Sequence, residues 1–201
     1  MTVRAVGNDV VDLTDPSVLR HHEDAGFVER VCADDERTRI ATARDLWALF
    51  AAKEAAYKAL VKLGASPGFG HRSLRVAAGR ASVTWRSLRL ELSVGGDDDH
   101  VHAVAWSAGA APAARVVRGH ACDSESARAR AVLRALVAER LGCEPGSLEV
   151  VREPEPLAWD GYGPPRLVRR GATLDVDVSL SHDGCFAAAA ALFDDGAAGV
   201  S

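Results

Sequence analysis

Three charged side chains, Glu54, Lys58 and Lys62, recur at i, i+4 and i+8 in the stretch LWALFAAKEAAYKALVK (46–62). A helix would set them on one strip about 12 Å long. Lys53 precedes the glutamate and falls instead in the apolar stripe of that helix. No lysine occurs elsewhere in a chain that otherwise uses arginine for positive charge. Two readings of the strip stand side by side. An i,i+4 ion pair on a surface helix contributes a few tenths of a kcal/mol, whereas a buried ammonium next to a carboxylate is costly and tends to mark a functional site. Asp9 is flanked by Val10 and Val11, an odd setting for a carboxylate that needs only water, although turn and helix-capping aspartates are common. Ser181-His182, in SLSHDG, is expected on a tight turn after a strand. There the two side chains and free backbone N–H groups either meet an anion or bond the turn's own backbone.

Positioning these groups is the task of a few elements. The run 46–62 holds strong helix formers and neither Gly nor Pro. Leu46, Leu49, Phe50, Tyr57, Leu60 and Val61 form one stripe for a core, and Ala51, Ala52, Ala55, Ala56 and Ala59 form an opposite side small enough for close packing. Residues 3–13 suit a strand that ends near Gly7 and delivers Asp9 at its exit. One or two short helices are expected over 15–36, with Asp34-Asp35-Glu36 as a helix start. After a turn-rich break at 64–70, strands are expected at 74–77, 81–85, 88–94 and 100–107, then a linker at 109–114. The second part reads as a helix over 124–141 closed by Gly142, a Pro- and Gly-rich loop at 154–165, strands at 174–180 and 185–193, and a disordered tail after Asp194. Residues 90–106 and 177–193 share one outline, a strand, a polar turn and an Ala/Val-rich strand. That outline points to an α+β fold of two pseudo-symmetric halves, each a small, mostly antiparallel sheet packed with helices, dividing into 1–114 and 115–201.

The 28 acidic and 24 basic residues leave a net charge of −4, which gives no bulk attraction for nucleic acid or membrane. The N-terminus lacks a signal-like apolar run and no stretch of about 18 apolar residues occurs, so a cytoplasmic protein is expected. Cys32, Cys122, Cys143 and Cys185 show no CxxC spacing, which favours reduced thiols over zinc or disulfides.

Three stretches together, GNDVVDL (7–13), LFAAKEAAYKAL (49–60) and VSLSHDGCFAAAAAL (178–192), resemble the 4′-phosphopantetheinyl transferase superfamily, with its G-x-D motif, (F/W)-x-x-K-E-x-x-x-K helix and S-x-S-H turn. The order of motifs is that of the small, trimeric holo-acyl carrier protein synthases. The length, the run 130–142, the loop Tyr162-Gly163-Pro164-Pro165-Arg166 and SLSHDG resemble the larger, surfactin-synthetase-activating type, with its halves in exchanged order. The expected molecule is therefore a monomer built as a pseudodimer.

The resemblance implies transfer of the phosphopantetheine arm of coenzyme A to a serine of an acyl or peptidyl carrier protein, with release of adenosine 3′,5′-bisphosphate. It further implies that Asp9 and Glu54 hold Mg²⁺, that Lys58 reaches the phosphates or the attacking hydroxyl, and that Glu54 or a metal-bound water is the general base. Ser181, His182 and Arg130 are the implied coenzyme A contacts. Three departures stand out: Val11 occupies the place of the larger type's second acidic residue, Asp12 lies one position further on, and Pro164 replaces a lysine that Arg166 could stand in for. A relative that binds coenzyme A or a carrier protein but transfers weakly is the alternative reading, with an unrelated metal-dependent phosphohydrolase behind it.

Overall fold

The computed structural model describes residues 4–194 apart from 21–22, 66, 68–69, 108, 110, 120–123 and 157–160; the tail expected to be disordered and Cys122 lie outside the described residues. Strand β1 (Val6–Asp12) is buried along its whole length. It runs through Gly7 and Asp9 rather than ending before them, because its alternating backbone bonds are taken up by β5 (His100–Trp106) from Val6↔Trp106 to Asp12↔His100. Strands β4 (Leu88–Gly96), β3 (Ser82–Trp85) and β2 (Arg75–Val76) complete an antiparallel sheet in the order β1-β5-β4-β3-β2. Three short helices, α1 (Pro16–Arg20), α2 (Ala25–Val31) and α3 (Asp34–Arg37), lie between β1 and the long helix α4 (Ala43–Lys62).

Helix α4 starts in a capping box: Thr42 Oγ1 accepts from Asp45 N–H at 3.2 Å, and the Asp45 carboxylate accepts from Thr42 N–H at 3.1 Å. Gly64, at φ 75°, ends it. The alanine side turns out to be the tight one. Ala51, Ala52, Ala55, Ala56 and Ala59 are completely buried, whereas Phe50 and Tyr57 on the larger stripe are half-buried and Val61 is exposed. The closest approach is at Gly7, where an added Cβ would lie 2.0 Å from Ala55 O and 2.8 Å from Ala59 N.

Strand β6 (Ala113–Arg118) opens inside the stretch expected as a linker and pairs with β11 (Phe186–Phe193), which pairs in turn with β10 (Val176–Asp183). Helix α5 (Glu125–Leu141), capped by Ser124 and closed by Gly142 in the left-handed conformation, covers this sheet. Its order, β6-β11-β10 with a helix between the first strand and the hairpin, repeats that of β1-β5-β4 with α4. A small sheet of β7 (Leu148–Val151), β8 (Arg166–Arg169) and β9 (Ala172–Thr173) flanks it.

The layers run α4, first sheet, second sheet, α5. One core lies between α4 and the first sheet, another between α5 and the second. The two sheets meet through Val6, Val10 and Val104 against Phe186, Ala188, Ala190 and Leu192. At this junction β1 carries a row of N–H groups that β5 does not use, and β10 supplies side-chain acceptors at the same two-residue period. Val6 N donates to Asp177 Oδ2 (2.6 Å), Asn8 N to Ser179 Oγ (2.9 Å), Val10 N to Ser181 Oγ (3.1 Å) and Asp12 N to Asp183 Oδ2 (2.8 Å). An edge that would otherwise be open is closed by D-x-S-x-S-x-D rather than by a backbone ladder. Among the described residues, no helix is long and apolar enough to cross a membrane, and Cys32, Cys143 and Cys185 are free thiols.

Candidate active site at the junction of two sheets

Gly7, Asp9 and Val11 share the face of β1 that looks at α4. Because Gly7 lets the helix backbone come close, the Asp9 carboxylate two positions on meets side chains from the same helix. Lys58 Nζ donates to Asp9 Oδ1 at 2.8 Å and to Asn8 O at 2.9 Å. Ser181 Oγ, from the other sheet, donates to Asp9 Oδ1 at 2.9 Å while accepting from Val10 N. Glu54, one turn before Lys58, is held through Oε1 by His71 Nε2. Burial pushes the Asp9 carboxyl up; the Lys58 ammonium and the Ser181 hydroxyl oppose this, the Glu54 charge adds to it, and the net shift is upward. At Glu54 burial also acts upward, but His71 and Lys58 outweigh it and the group lies below the ordinary glutamate value. Two neighbouring carboxylates are thus driven apart in acidity, as acid–base sites are.

Ser181 and His182 lie within strand β10, not on a turn; the turn follows at Gly184-Cys185. Being adjacent on a strand, they face opposite ways: Ser181 is buried against Asp9, and His182 Nδ1 reaches Glu125 Oε2 in the first turn of α5 at 2.9 Å. Arg130 bonds within its own helix, Nη1 donating to Ser126 Oγ at 2.8 Å. Arg128 behaves otherwise. Its Nη1 donates to Cys185 O at 2.7 Å, while Nε and Nη2 are buried without a partner among the described residues. An arginine lying across Gly119, whose Cβ would come within 2.4 Å of Nη1, was legible in the sequence only as one of several on α5.

Val11 is 4 % exposed and sits in the core under α4, so the place of the larger type's second carboxylate is filled by packing. Asp12 faces the other way and caps two turns. Its Oδ1 accepts from Thr14 N and Oγ1 at 2.8 and 2.6 Å, and its Oδ2 accepts from Cys185 N at 2.9 Å. Burial raises the Asp12 carboxyl, but these bonds outweigh it and the net shift is downward. Arg166 pairs with Glu153 at the surface. Lys53 is completely buried and tied to Glu36 Oε2 (2.5 Å) and Val31 O (2.8 Å). Glu36 also accepts from Ala33 N and Val76 N, so Lys53 braces α2, α3 and β2 rather than the junction of the sheets. Lys62 is the lysine that crosses the junction, donating to Val6 O, Val178 O and Asp177 Oδ2 at 2.6, 2.6 and 2.9 Å.

Both bonds to Asp9 fall on Oδ1, and the Glu54 bond falls on Oε1. Each carboxylate keeps its second oxygen outside those bonds. Among the described residues there is no group of three or more His, Cys, Asp or Glu side chains placed to hold a metal. The donor set is therefore two hard oxygens, which suits Mg²⁺, an ion that takes one or two protein carboxylates and completes its shell with water and substrate phosphate.

Residues 5–110, more than half of the chain, match the family model described as ACPS, 4′-phosphopantetheinyl transferase superfamily. The chain belongs to that superfamily, and its mixed helices and antiparallel sheets are an α+β fold of that kind. Among solved structures it is similar to the holo-[acyl-carrier-protein] synthase of Thermotoga maritima, with 16 % identity over 86 % of each chain and a TM-score of 0.38. No curated protein matches it. Membership makes phosphopantetheine transfer the general activity.

Proposed function

We propose that this protein transfers the 4′-phosphopantetheine group of coenzyme A to a serine of an acyl or peptidyl carrier protein, with Mg²⁺ held by Asp9 and Glu54. What supports this reading above all is that Lys58 on α4 and Ser181 on β10 both bond the buried Asp9 carboxylate on β1, with Glu54 on α4 near enough for its charge to act on it. Asp9 and Glu54 would hold the ion, which would supply Lewis-acid stabilisation of the charge that grows on the transferring phosphate. Lys58 is the cation beside that charge. Glu54, kept ionised, is the proton acceptor for the attacking serine hydroxyl. The serine oxygen bonds to the β-phosphorus, the bond to adenosine 3′,5′-bisphosphate breaks, and the hydroxyl proton passes to the carboxylate. His182 and Arg128, on the side of α5, are the proposed coenzyme A contacts, with Arg128 in the role expected of Arg130. The division into a metal-binding half (1–114) and a coenzyme A-contacting half (115–201), a cytoplasmic location and a monomeric state belong to the same proposal.

The test is to incubate the protein with coenzyme A, Mg²⁺ and a panel of apo carrier proteins from fatty-acid, polyketide and nonribosomal-peptide systems, and to weigh the carriers by mass spectrometry. A phosphopantetheine mass gain is expected on at least one, lost with Glu54→Ala; no gain on any would refute the proposal. The burial of Val11, which leaves two protein carboxylates, favours a second reading as a coenzyme A-binding relative with weak transfer. Calorimetric coenzyme A binding without Mg²⁺-dependent turnover would identify it.

A further inference from the structure

His71 lies outside the three motifs, yet it holds Glu54. It is delivered by the one-turn helix His71–Ser73 that follows the turn-rich break and leads into β2. Two devices fix that turn. Arg72 pairs with Asp34 of α3 at 2.7 Å, and Ser73 Oγ donates to Gly70 O at 2.7 Å. The imidazole itself is seated on Phe50, ring centroids 5.3 Å apart and planes 17° from parallel. Phe50 in turn meets Trp47 edge-on at 5.3 Å and Phe27 at 6.0 Å, and Trp47 and Phe27 touch at 5.6 Å. Among the described residues His71 thus joins Phe50, Trp47 and Phe27 in a ring cluster that links α2 to α4.

That cluster gives the ring a set plane, and Nε2 donates in that plane. A glutamate on a helix has three side-chain torsions to fix. Here the N–H of a ring held by the stack on Phe50 restrains the carboxylate through Oε1, leaving Oε2 outside the bond.

Resting on the metal-dependent reading above, we infer that His71, braced by Phe50, is a positioning residue: it orients the Glu54 carboxylate so that its second oxygen is presented to the divalent ion beside Asp9. Ligating carboxylates are commonly oriented by such outer partners, whose loss typically weakens metal affinity about 10- to 100-fold.

The probe is Mn²⁺ alone, titrated into the full chain and followed by electron paramagnetic resonance, with thermal melts recorded on the same samples. His71→Leu is expected to weaken Mn²⁺ binding about 10- to 100-fold. His71→Gln, which keeps an N–H at the reach of Nε2, is expected to stay within about threefold of wild type, since the bond to Glu54 survives. Phe50→Leu keeps the imidazole but removes the stack, and is expected to fall between them. Raising Mn²⁺ should restore transfer by His71→Leu, a rescue that a purely structural lesion would not show. Affinity of His71→Leu within twofold of wild type, or His71→Gln as weak as His71→Leu, overturns the inference. If His71→Leu does not fold, Phe50→Leu decides, and unchanged affinity overturns it. Wild-type protein that binds no Mn²⁺ overturns the metal-dependent reading itself, which is a different failure.

Discussion

Replacing Lys62 with methionine is expected to loosen the junction between the two sheets. The ammonium is buried, its side chain 8 % exposed, and three acceptors converge on it: Val6 O, Val178 O and Asp177 Oδ2. Burial lowers its pKa, which Asp177 only partly offsets. Methionine keeps most of the volume and removes the charge. Breaking a buried pair by deleting one partner costs about 3–5 kcal/mol, and each carbonyl left without its donor adds about 1 kcal/mol or more where it stays buried, not additively. Two features reduce the total: Asp177 is 25 % exposed and keeps the bond from Val6 N, so water resolvates part of its charge. The expected loss is about 3 kcal/mol. For a chain of this size that lowers the Tm by about 6–12 °C. Urea denaturation followed by circular dichroism, with Lys62→Met, Asp177→Asn and the double variant, reads both the loss and the coupling; the double variant is expected to be less destabilised than the two singles added together. A loss below about 1 kcal/mol for Lys62→Met would refute the reasoning, because it would mean that the three contacts do not hold the sheets together.

Three further outcomes follow from the geometry. His102, beside Asn8, is held down to about 4 by burial first and then by His100 and Lys58. A folded-state value below the ordinary 6.5 means that the stability it contributes is complete above pH 6.5 and lost as pH falls toward 4, by up to about 3 kcal/mol. Urea midpoints measured across that range are expected to flatten in His102→Gln, and equal slopes for the two proteins would contradict this. Gly7→Ala, whose Cβ would strike the Ala55 carbonyl at 2.0 Å, is expected to cost about 3 kcal/mol and to reduce transfer by moving α4 away from Asp9; an unchanged urea midpoint would contradict it. Calorimetry with coenzyme A is expected to show Arg128→Met weakening binding about tenfold or more and Arg130→Met changing it less than about threefold; the reverse order would return the role to Arg130.

Much of the fold was legible because it rests on local signals. The helix over 46–62, the strands up to residue 107 and the capped helix ending at Gly142 each carry their own periodicity and punctuation. The misreadings were of environment. Asp9 looked like a residue at a strand exit because a carboxylate inside a buried strand is costly alone, and Lys58 and Ser181, which make it tolerable, lie 49 and 172 residues away. Ser181-His182 looked like a turn because small polar residues are common there. It is instead strand, with Ser179 and Ser181 serving as acceptors for the N–H groups of β1.

The sequence by itself determined the family, through three short motifs, and the residue types of the site: two carboxylates, a lysine one helical turn from the second, and a Ser-His pair. It determined these because motif spacing and helical period are properties of neighbouring residues. Only the tertiary structure decided which lysine does what. Lys53, Lys58 and Lys62 share one helix, yet they brace α3, meet Asp9 and clamp β10 respectively. The structure also decided that Arg128 has buried guanidinium nitrogens without a partner among the described residues, while Arg130 bonds Ser126 of its own helix, and that His71 holds Glu54. Those outcomes depend on which elements pack against each face, and a side chain's burial and partners come from contacts across long stretches of chain that no local pattern encodes.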